Sequence, residues 1–295
     1  MKKTLIYIGL VLLAVAAIDG LCSLAIDALT GKRYVAAISA TEDATEELAV
    51  IGSSRASHHY DPRILADSLG MTTHNYGLEG QNIYADATIT AMLMSHARRK
   101  PRMVIVDLSE PDICDVPGWN TDHLDIFFPY VGDPAVDSLL SDVLDPRELF
   151  FVRHSALYRH NSRFVEYARK DAGRSDGFSP LQGQWDKPPV EMTKGRPYRV
   201  DPRKVDYLER CIRTCAANGV NVVLAISPNY KRLPQEQLWV KTIGDMARRH
   251  HTPFLYNEQD EQFLNHPEWF REPYHLNATG AAVYTRKVAK QLSNL

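Results

Sequence analysis

Apolar positions along this chain fall into three patterns, and each predicts a different kind of element. The first is continuous. After Lys2 and Lys3 the residues Thr4 to Ile18 are almost wholly apolar, and Leu21 to Ile26 resume the run beyond Asp19 and Gly20. Together they supply about the twenty residues with which a helix crosses the hydrocarbon core of a bilayer. The second pattern is short and bounded: Leu48 to Ile51, Thr72 to Tyr76, Met103 to Leu108, Val220 to Ile226 and Pro253 to Tyr256 read as strands. Val104-Ile105-Val106 and Val222 to Ile226 are unbroken apolar runs, as in strands covered on both faces. The third is periodic, at helical spacing, over Tyr84 to Arg98, Asp201 to Ala217 and Gln235 to His250. Strands alternating with helices predict an α/β fold, a parallel sheet sandwiched by helices.

Two stretches break that rhythm. Residues 28 to 45 are small and polar and read as a linker. From about residue 115 to about residue 200, Pro, Gly, Asp and aromatic residues surround two predicted helices, Pro134 to Leu144 and Arg147 to Arg169, with no clear strand. That is too long for an ordinary connection, so it is expected to be an insertion or lid leaving the carboxyl end of the third strand. Its helical part carries Arg147, Arg153, Arg159, Arg163, Arg169, Lys170 and Arg174 against Asp145, Glu148, Glu166 and Asp171. This is either a solvated face or a surface for an anionic glycan or phospholipid. The expected organisation is a membrane anchor or signal segment (1–27), a linker (28–45) and one α/β domain (46–295) holding the insertion.

The two lysines ahead of the apolar run keep the amino terminus in the cytoplasm and send the remainder to the periplasm or cell exterior. Ala14-Val15-Ala16 resembles a small-residue cleavage site, so the rival is a cleaved signal and a secreted protein. A buried helix of a soluble protein is the third reading. Cys22 follows Asp19-Gly20-Leu21, which lacks the small residue expected just before a lipoprotein cysteine. Across all 295 residues, 34 basic and 36 acidic side chains leave a net charge of −2, which gives no global attraction for nucleic acid. Cys22, Cys114, Cys211 and Cys215 have neither metal-ligand spacing nor the density of a disulfide framework. No cluster of His, Cys and carboxylates has zinc spacing, and neither a P-loop nor a dinucleotide glycine fingerprint follows the first strand. No metal and no cofactor are expected.

Ligands of open α/β sheets collect at the carboxyl ends of strands, and Gly52-Ser53-Ser54-Arg55 stands there, directly after the first core strand. Glycine permits a tight turn from which a serine hydroxyl and its own N–H reach the same space. A serine needs a base, and the base needs an orienting group. His275 and Glu272, three residues before it, can supply both. Arg55 is a candidate either to hold the loop by an ion pair or to bind a substrate carboxylate or phosphate. Tyr230, in the loop Ser227 to Lys231, is a candidate pocket residue. His58 and His59 read as turn or surface histidines.

These residues resemble the SGNH (GDSL-like) hydrolases. Gly52-Ser53-Ser54 is similar to their Gly-Asp-Ser block, Asn75-Tyr76-Gly77-Leu78-Glu79-Gly80 to their glycine-bearing second block, and Glu272-Pro273-Tyr274-His275-Leu276-Asn277 to their closing Asp-x-x-His block. The likeness covers roughly residues 46 to 112 and 218 to 292. It implies a flavodoxin-like sheet, Ser54 as nucleophile, His275 as base, Glu272 as the orienting acid, and the N–H groups of Ser54 and Gly80 as oxyanion donors. Two departures stand out: glutamate replaces aspartate at 272, and the third strand runs into Asp107-Leu108-Ser109-Glu110-Pro111-Asp112 without the family's third-block asparagine. Asn82 is the candidate substitute donor.

The amino-terminal segment, the Gly-Ser-Ser block, the absent asparagine and the His-Leu-Asn ending are similar to the family's membrane-anchored branch. Those proteins work beside membrane O-acyltransferases in alginate acetylation and teichoic-acid D-alanylation. The resemblance implies a serine esterase or O-acyltransferase acting on an acylated glycan or related polymer, with a membrane O-acyltransferase as partner. The alternative is a catalytically weak relative that binds or assembles.

Overall fold

The computed structural model describes residues 2–121, 123–160, 175–188, 190–191, 198–233 and 237–295. In chain order its main elements are helix α1 (Lys2–Thr30), strand β1 (Leu48–Gly52), α2 (Ser54–His59), α3 (Pro62–Leu69), β2 (Thr73–Asn75), α4 (Ile83–His96), β3 (Met103–Asp107), α5 (Pro134–Val143), α6 (Pro146–His154), α7 (Ala156–His160), α8 (Pro202–Ala217), β4 (Asn221–Ile226), α9 (Leu238–Arg249), β5 (Phe254–Tyr256), β6 (Phe270–Glu272), β7 (His275–Leu276) and α10 (Ala278–Leu292). The chain divides into two compact units, residues 1–39 with 124–172 and residues 40–123 with 173–295.

The larger unit is built on a five-stranded parallel sheet in the order β2-β1-β3-β4-β5, the flavodoxin-like order. Side chains alternate between its faces. Leu48, Val50, Ile105, Val223, Ala225 and Leu255 pack with Ala56, Tyr60, Leu65, Tyr284 and Val288, from α2, α3 and α10. Ala49, Ile51, Val104, Val106, Leu224 and Ile226 alternate with them and are also buried, on the side of α4 and α8. Burial from both sides is why these strands read as apolar runs. The register sets Gly52 opposite Asp107 and Asp107 opposite Ala225, so the carboxyl ends of three adjacent strands finish level with one another.

In the smaller unit, α1 is exposed along residues 2–18 and begins to pack only at Asp19. Ile26 is buried, and Asp19, Cys22, Ser23, Asp27 and Thr30 are half-buried, so one helical face turns inward from Asp19 onward. The stretch expected as a linker includes two short helical turns, Ala36–Ser39 and Ala40–Asp43, with Ile38 and Thr41 buried. The helix expected from Arg147 to Arg169 is broken at Ser155. Its second part starts afresh because Asp19 accepts hydrogen bonds from Ser155 Oγ at 2.7 Å, Ala156 N at 2.7 Å and Leu157 N at 2.9 Å. Arg163, Glu166, Arg169, Lys170, Asp171 and Arg174 lie outside the described residues.

Candidate active site

β1 ends on Gly52 with φ at 149°, where a Cβ would stand 2.6 Å from the Asp107 carbonyl oxygen and 2.9 Å from Ala56 Cβ. No side chain fits there, and the chain turns at once into α2. Ser53 takes the extended N-cap position and Ser54 is the first helical residue. An N–H in that position has no acceptor within its own helix. Gly77 closes the turn from the other side, since a Cβ on it would lie 2.3 Å from Ser57 N.

The histidine arrives on a separate device. β6 and β7 form an antiparallel hairpin in which Glu272 is paired with His275 across the two-residue turn Pro273-Tyr274. The three-residue spacing thus becomes a cross-strand pair. Pro273 O accepts the Tyr230 N–H at 2.7 Å, and Asn277 caps α10 through Gly280 N at 3.0 Å while donating to Glu268 O at 2.7 Å and Gly183 O at 2.8 Å. The hairpin is tied on both flanks.

Between the two devices, Ser54 Oγ lies 2.7 Å from His275 Nε2. Glu272 Oε1 bonds His275 Nδ1 on the ring's far side, and its Oε2 accepts the Tyr274 N–H at 3.1 Å. A carboxylate facing Nδ1 holds the ring proton there, leaving the Nε2 lone pair to accept from the serine hydroxyl. Burial opposes ionisation of Glu272, yet the hydrogen bond and charge of His275, the Tyr274 N–H and Lys231 together hold its carboxyl below the usual range. His275 and Glu272 are 25% and 33% exposed at their side chains, so the array is reachable from solvent. It has the parts for nucleophilic attack by a serine with proton transfer to a histidine.

Other residues singled out from the sequence have different placements. Arg55 is buried; its guanidinium donates to the carbonyls of Ser227 at 3.2 Å and of Leu108, and its Nε lies 3.8 Å from Asp107 Oδ2. Tyr230 is 2% exposed and packs on Phe270 with ring centroids 5.0 Å apart. For Arg55 this is the loop-holding role of the two expected, whereas Tyr230, expected to line the pocket, is packed into the fold; both fasten the loops after β3 and β4. Asn82 caps α4 by accepting from Tyr84 N at 3.1 Å, and its amide nitrogen donates to Trp119 O at 2.6 Å and Asn120 O at 2.7 Å. Its donors are committed to a loop, which corrects its assignment to the oxyanion. Gly80 sits in the turn before α4 with φ at 74° and open space where a Cβ would be.

His58 and His59 are not surface histidines. Their rings stand edge-on to His275, at 5.3 Å and 6.1 Å between centroids. His58 Nδ1 lies 2.6 Å from Ser179 O and its Nε2 3.3 Å from Glu79. His59 is wholly buried: its Nε2 accepts the Leu276 N–H at 3.0 Å, so its Nδ1 carries the proton and donates to Ser227 Oγ at 2.9 Å. Burial first, then the nearby charges of His275, Arg55 and His58, push the His59 pKa well below the usual histidine value, so the neutral ring this pattern needs is the stable one.

Ser227 hands its own proton on to Asp107 Oδ2 at 3.0 Å. Asp107 also accepts from Ser227 N at 3.0 Å and Tyr60 Oη at 2.8 Å, and Tyr60 Oη is 3.1 Å from Tyr284 Oη. Asp107 was noted in the sequence only for not being asparagine. Its signal was a charged residue closing an otherwise apolar strand. Among the described residues, no group of three or more His, Cys, Asp or Glu side chains is placed to hold a metal ion.

No protein-family model matches the chain, and no curated protein does. Solved structures similar to it include a mutant of an acetyl-xylooligosaccharide esterase from Geobacillus Stearmophilus, at 10% identity and a TM-score of 0.44 over 85% of this chain and 96% of that one. A lipase/acylhydrolase from Enterococcus faecalis aligns at 10% identity and 0.39 over 84% and 96%. A GDSL-like lipase from Bacteroides thetaiotaomicron aligns at 10% identity and 0.36 over 86% and 90%.

Proposed function

We propose that the chain is an envelope-exposed, SGNH-type serine esterase or O-acyltransferase acting on acyl esters of a glycan or related polymer. The observation that carries this reading is the 2.7 Å approach of Ser54 Oγ to His275 Nε2 with Glu272 behind the ring. In the proposed cycle Ser54 Oγ bonds to the ester carbonyl carbon as its proton passes to His275 Nε2. Glu272 stabilises the resulting imidazolium, and the N–H groups of Ser54 and Gly80 receive the oxyanion. Collapse breaks the carbon–oxygen bond to the leaving alcohol, which takes the proton from His275. The acyl group then rests on Ser54 until water or a sugar hydroxyl, deprotonated by His275, attacks it; collapse then breaks the bond to Ser54 Oγ, which takes that proton back from His275 Nε2. Transfer is favoured where water is kept from that intermediate.

Retention of α1 as an anchor, with the rest of the chain outside the cytoplasmic membrane, is part of this proposal. Its support is that α1 is used by the fold beyond its apolar run: Asp19 caps α7, and Asp27 accepts a hydrogen bond from Tyr34. A membrane O-acyltransferase is the proposed partner.

Labelling of the folded protein with a fluorophosphonate tests the chemistry. The label is expected on the parent and on Ser53→Ala, and is expected to be lost in Ser54→Ala and His275→Ala. A folded parent that takes no label supports the rival reading, a binding or assembly protein. The commitment of Asn82 to its loop is the observation that favours that rival.

A further inference from the structure

The smaller unit carries an apolar surface that the proposed chemistry does not use. On α6 and α7, Phe150 is 57% exposed, Phe151 50%, Leu157 47% and Tyr158 37%. They are contiguous: ring centroids are 5.7 Å apart for Phe150 and Phe151, 5.6 Å for Phe151 and Tyr158, and 4.6 Å for Phe150 and His154. Arg147 and Arg153 are exposed on α6, where Arg153 Nη2 donates to Ser141 Oγ at 3.1 Å. Arg159 donates to the carbonyls of Val152 and Arg153 at 3.0 Å each, which ties α7 to the end of α6.

The position of this hairpin along α1 identifies what covers it. Residues 2–18 of α1 are all exposed, and the apolar run Thr4–Ile18 within them extends about 22 Å at 1.5 Å per residue. That is most of the thickness of a bilayer's hydrocarbon core, about 30 Å, and the aliphatic stems of Lys2 and Lys3 extend the apolar length at the other end. The first residue of α1 that is not fully exposed is Asp19, and it accepts hydrogen bonds at the start of α7. A helix that crosses the core over residues 4–18 therefore leaves it where the hairpin begins. An ionised carboxylate inside a spanning helix is costly unless it is paired, and here two backbone N–H groups and a hydroxyl meet it. The exposed aromatic cluster is thereby tethered where the apolar rod meets headgroups, a depth at which aromatic and arginine side chains are favoured.

We propose that the α6–α7 hairpin is a membrane-interface element: Phe150, Phe151, Leu157 and Tyr158 enter the headgroup and upper acyl region of the outer leaflet, and the guanidinium groups of Arg147 and Arg153 meet phospholipid phosphates. The inference rests on α1 being a retained anchor. It gives the chain a second, monotopic hold on the bilayer beside its span.

The test uses the full chain in vesicles of phosphatidylethanolamine and phosphatidylglycerol whose acyl chains are brominated near the headgroup. Phe150→Trp and Leu157→Trp each add an indole, and its emission is read as the difference from the parent. The expected result is that more than half of the added emission is quenched by bromine and that aqueous iodide leaves it largely unquenched. Iodide quenching without bromine quenching overturns the proposal. Protection from both quenchers also overturns it, because the cluster is then covered by protein, a second copy included. Flotation of the same samples separates the two readings: protein that does not float with vesicles overturns the anchor and the hairpin together, whereas floating protein with an unquenched indole overturns the hairpin alone.

Discussion

His59 is the residue whose position best explains why His275 stands where it does. A backbone N–H is directional, and the Leu276 N–H immediately after His275 is spent on His59 Nε2 at 3.0 Å. Removing the imidazole leaves that N–H and Ser227 Oγ without their partner, and the hairpin loses its inner fixing point. His59 touches no reacting atom, so it is a positioning residue. A displacement of about 1 Å at a catalytic group can cost on the order of a hundredfold. His59→Ala is therefore expected to lower kcat for an activated ester by about tenfold to a hundredfold with KM little changed. His59→Gln keeps one acceptor and one donor and is expected to restore a substantial part. An equal loss in both variants, accompanied by unfolding in circular dichroism, would reduce His59 to a packing residue.

At the scale of elements, two glycines of the loop between β2 and α4 do different jobs. Gly77 is pressed against the backbone of α2, and a Cβ there meets Ser57 N at 2.3 Å. Gly80 has open space but a φ of 74°. Gly77→Ala forces backbone apart, where overpacking costs about 1–3 kcal/mol or more. Gly80→Ala incurs only the left-handed backbone penalty, about 1–2 kcal/mol. The expected order in urea midpoints is parent, then Gly80→Ala, then Gly77→Ala, with fluorophosphonate labelling slowed most in Gly77→Ala because its clash lies beside Ser54. A reversed order would mean that the loop, rather than α2, yields to the added methyl. The same contrast bears on what was legible in the chain. Val104 to Val106 and Val222 to Ile226 announced themselves because a strand covered on both faces has no polar alternation to interrupt it. Glu272 and His275 were legible because a tight hairpin makes a three-residue spacing a spatial pair. The break at Ser155 was not, because its cap comes from Asp19, 136 residues earlier. Nor was the burial of Arg55, His58, His59 and Tyr230, which depends on carbonyls, hydroxyls and rings contributed by distant strand ends.

At the scale of the larger unit, the carboxyl end of the sheet gathers acidic groups in low dielectric, and that sets a pH dependence for the fold itself. Burial pushes Asp112 up to about 6 and Asp86 well above the carboxylate range. Glu258, just after β5, is 4% exposed, and burial raises it to about 7 against an ordinary value of 4.5, with Arg55 and the Asn229 amide pulling the other way. Its Oε1 accepts from Asn229 Nδ2 at 2.7 Å, while Oε2 has no hydrogen-bond partner among the described residues. Below pH 4.5 this carboxyl is protonated in both folded and unfolded chains. Between 4.5 and about 7 the unfolded chain has released the proton that the folded chain retains, so each rise in pH erodes stability; above 7 the loss is complete. Buried His59, with its depressed pKa, contributes the opposite slope below 6.5, so the parent's profile alone does not isolate the carboxyl. The difference between parent and Glu258→Gln does. Glutamine keeps the Oε1 acceptor for Asn229 and stays neutral at every pH, so the stability of Glu258→Gln relative to the parent is expected to climb from pH 4.5 to about 7 and then level off. Thermal midpoints of the full chain in detergent, taken across that range, measure it. A difference that stays constant with pH would show that Glu258 titrates in the folded protein as it does in the unfolded chain, and that solvent reaches the carboxyl ends of β4 and β5.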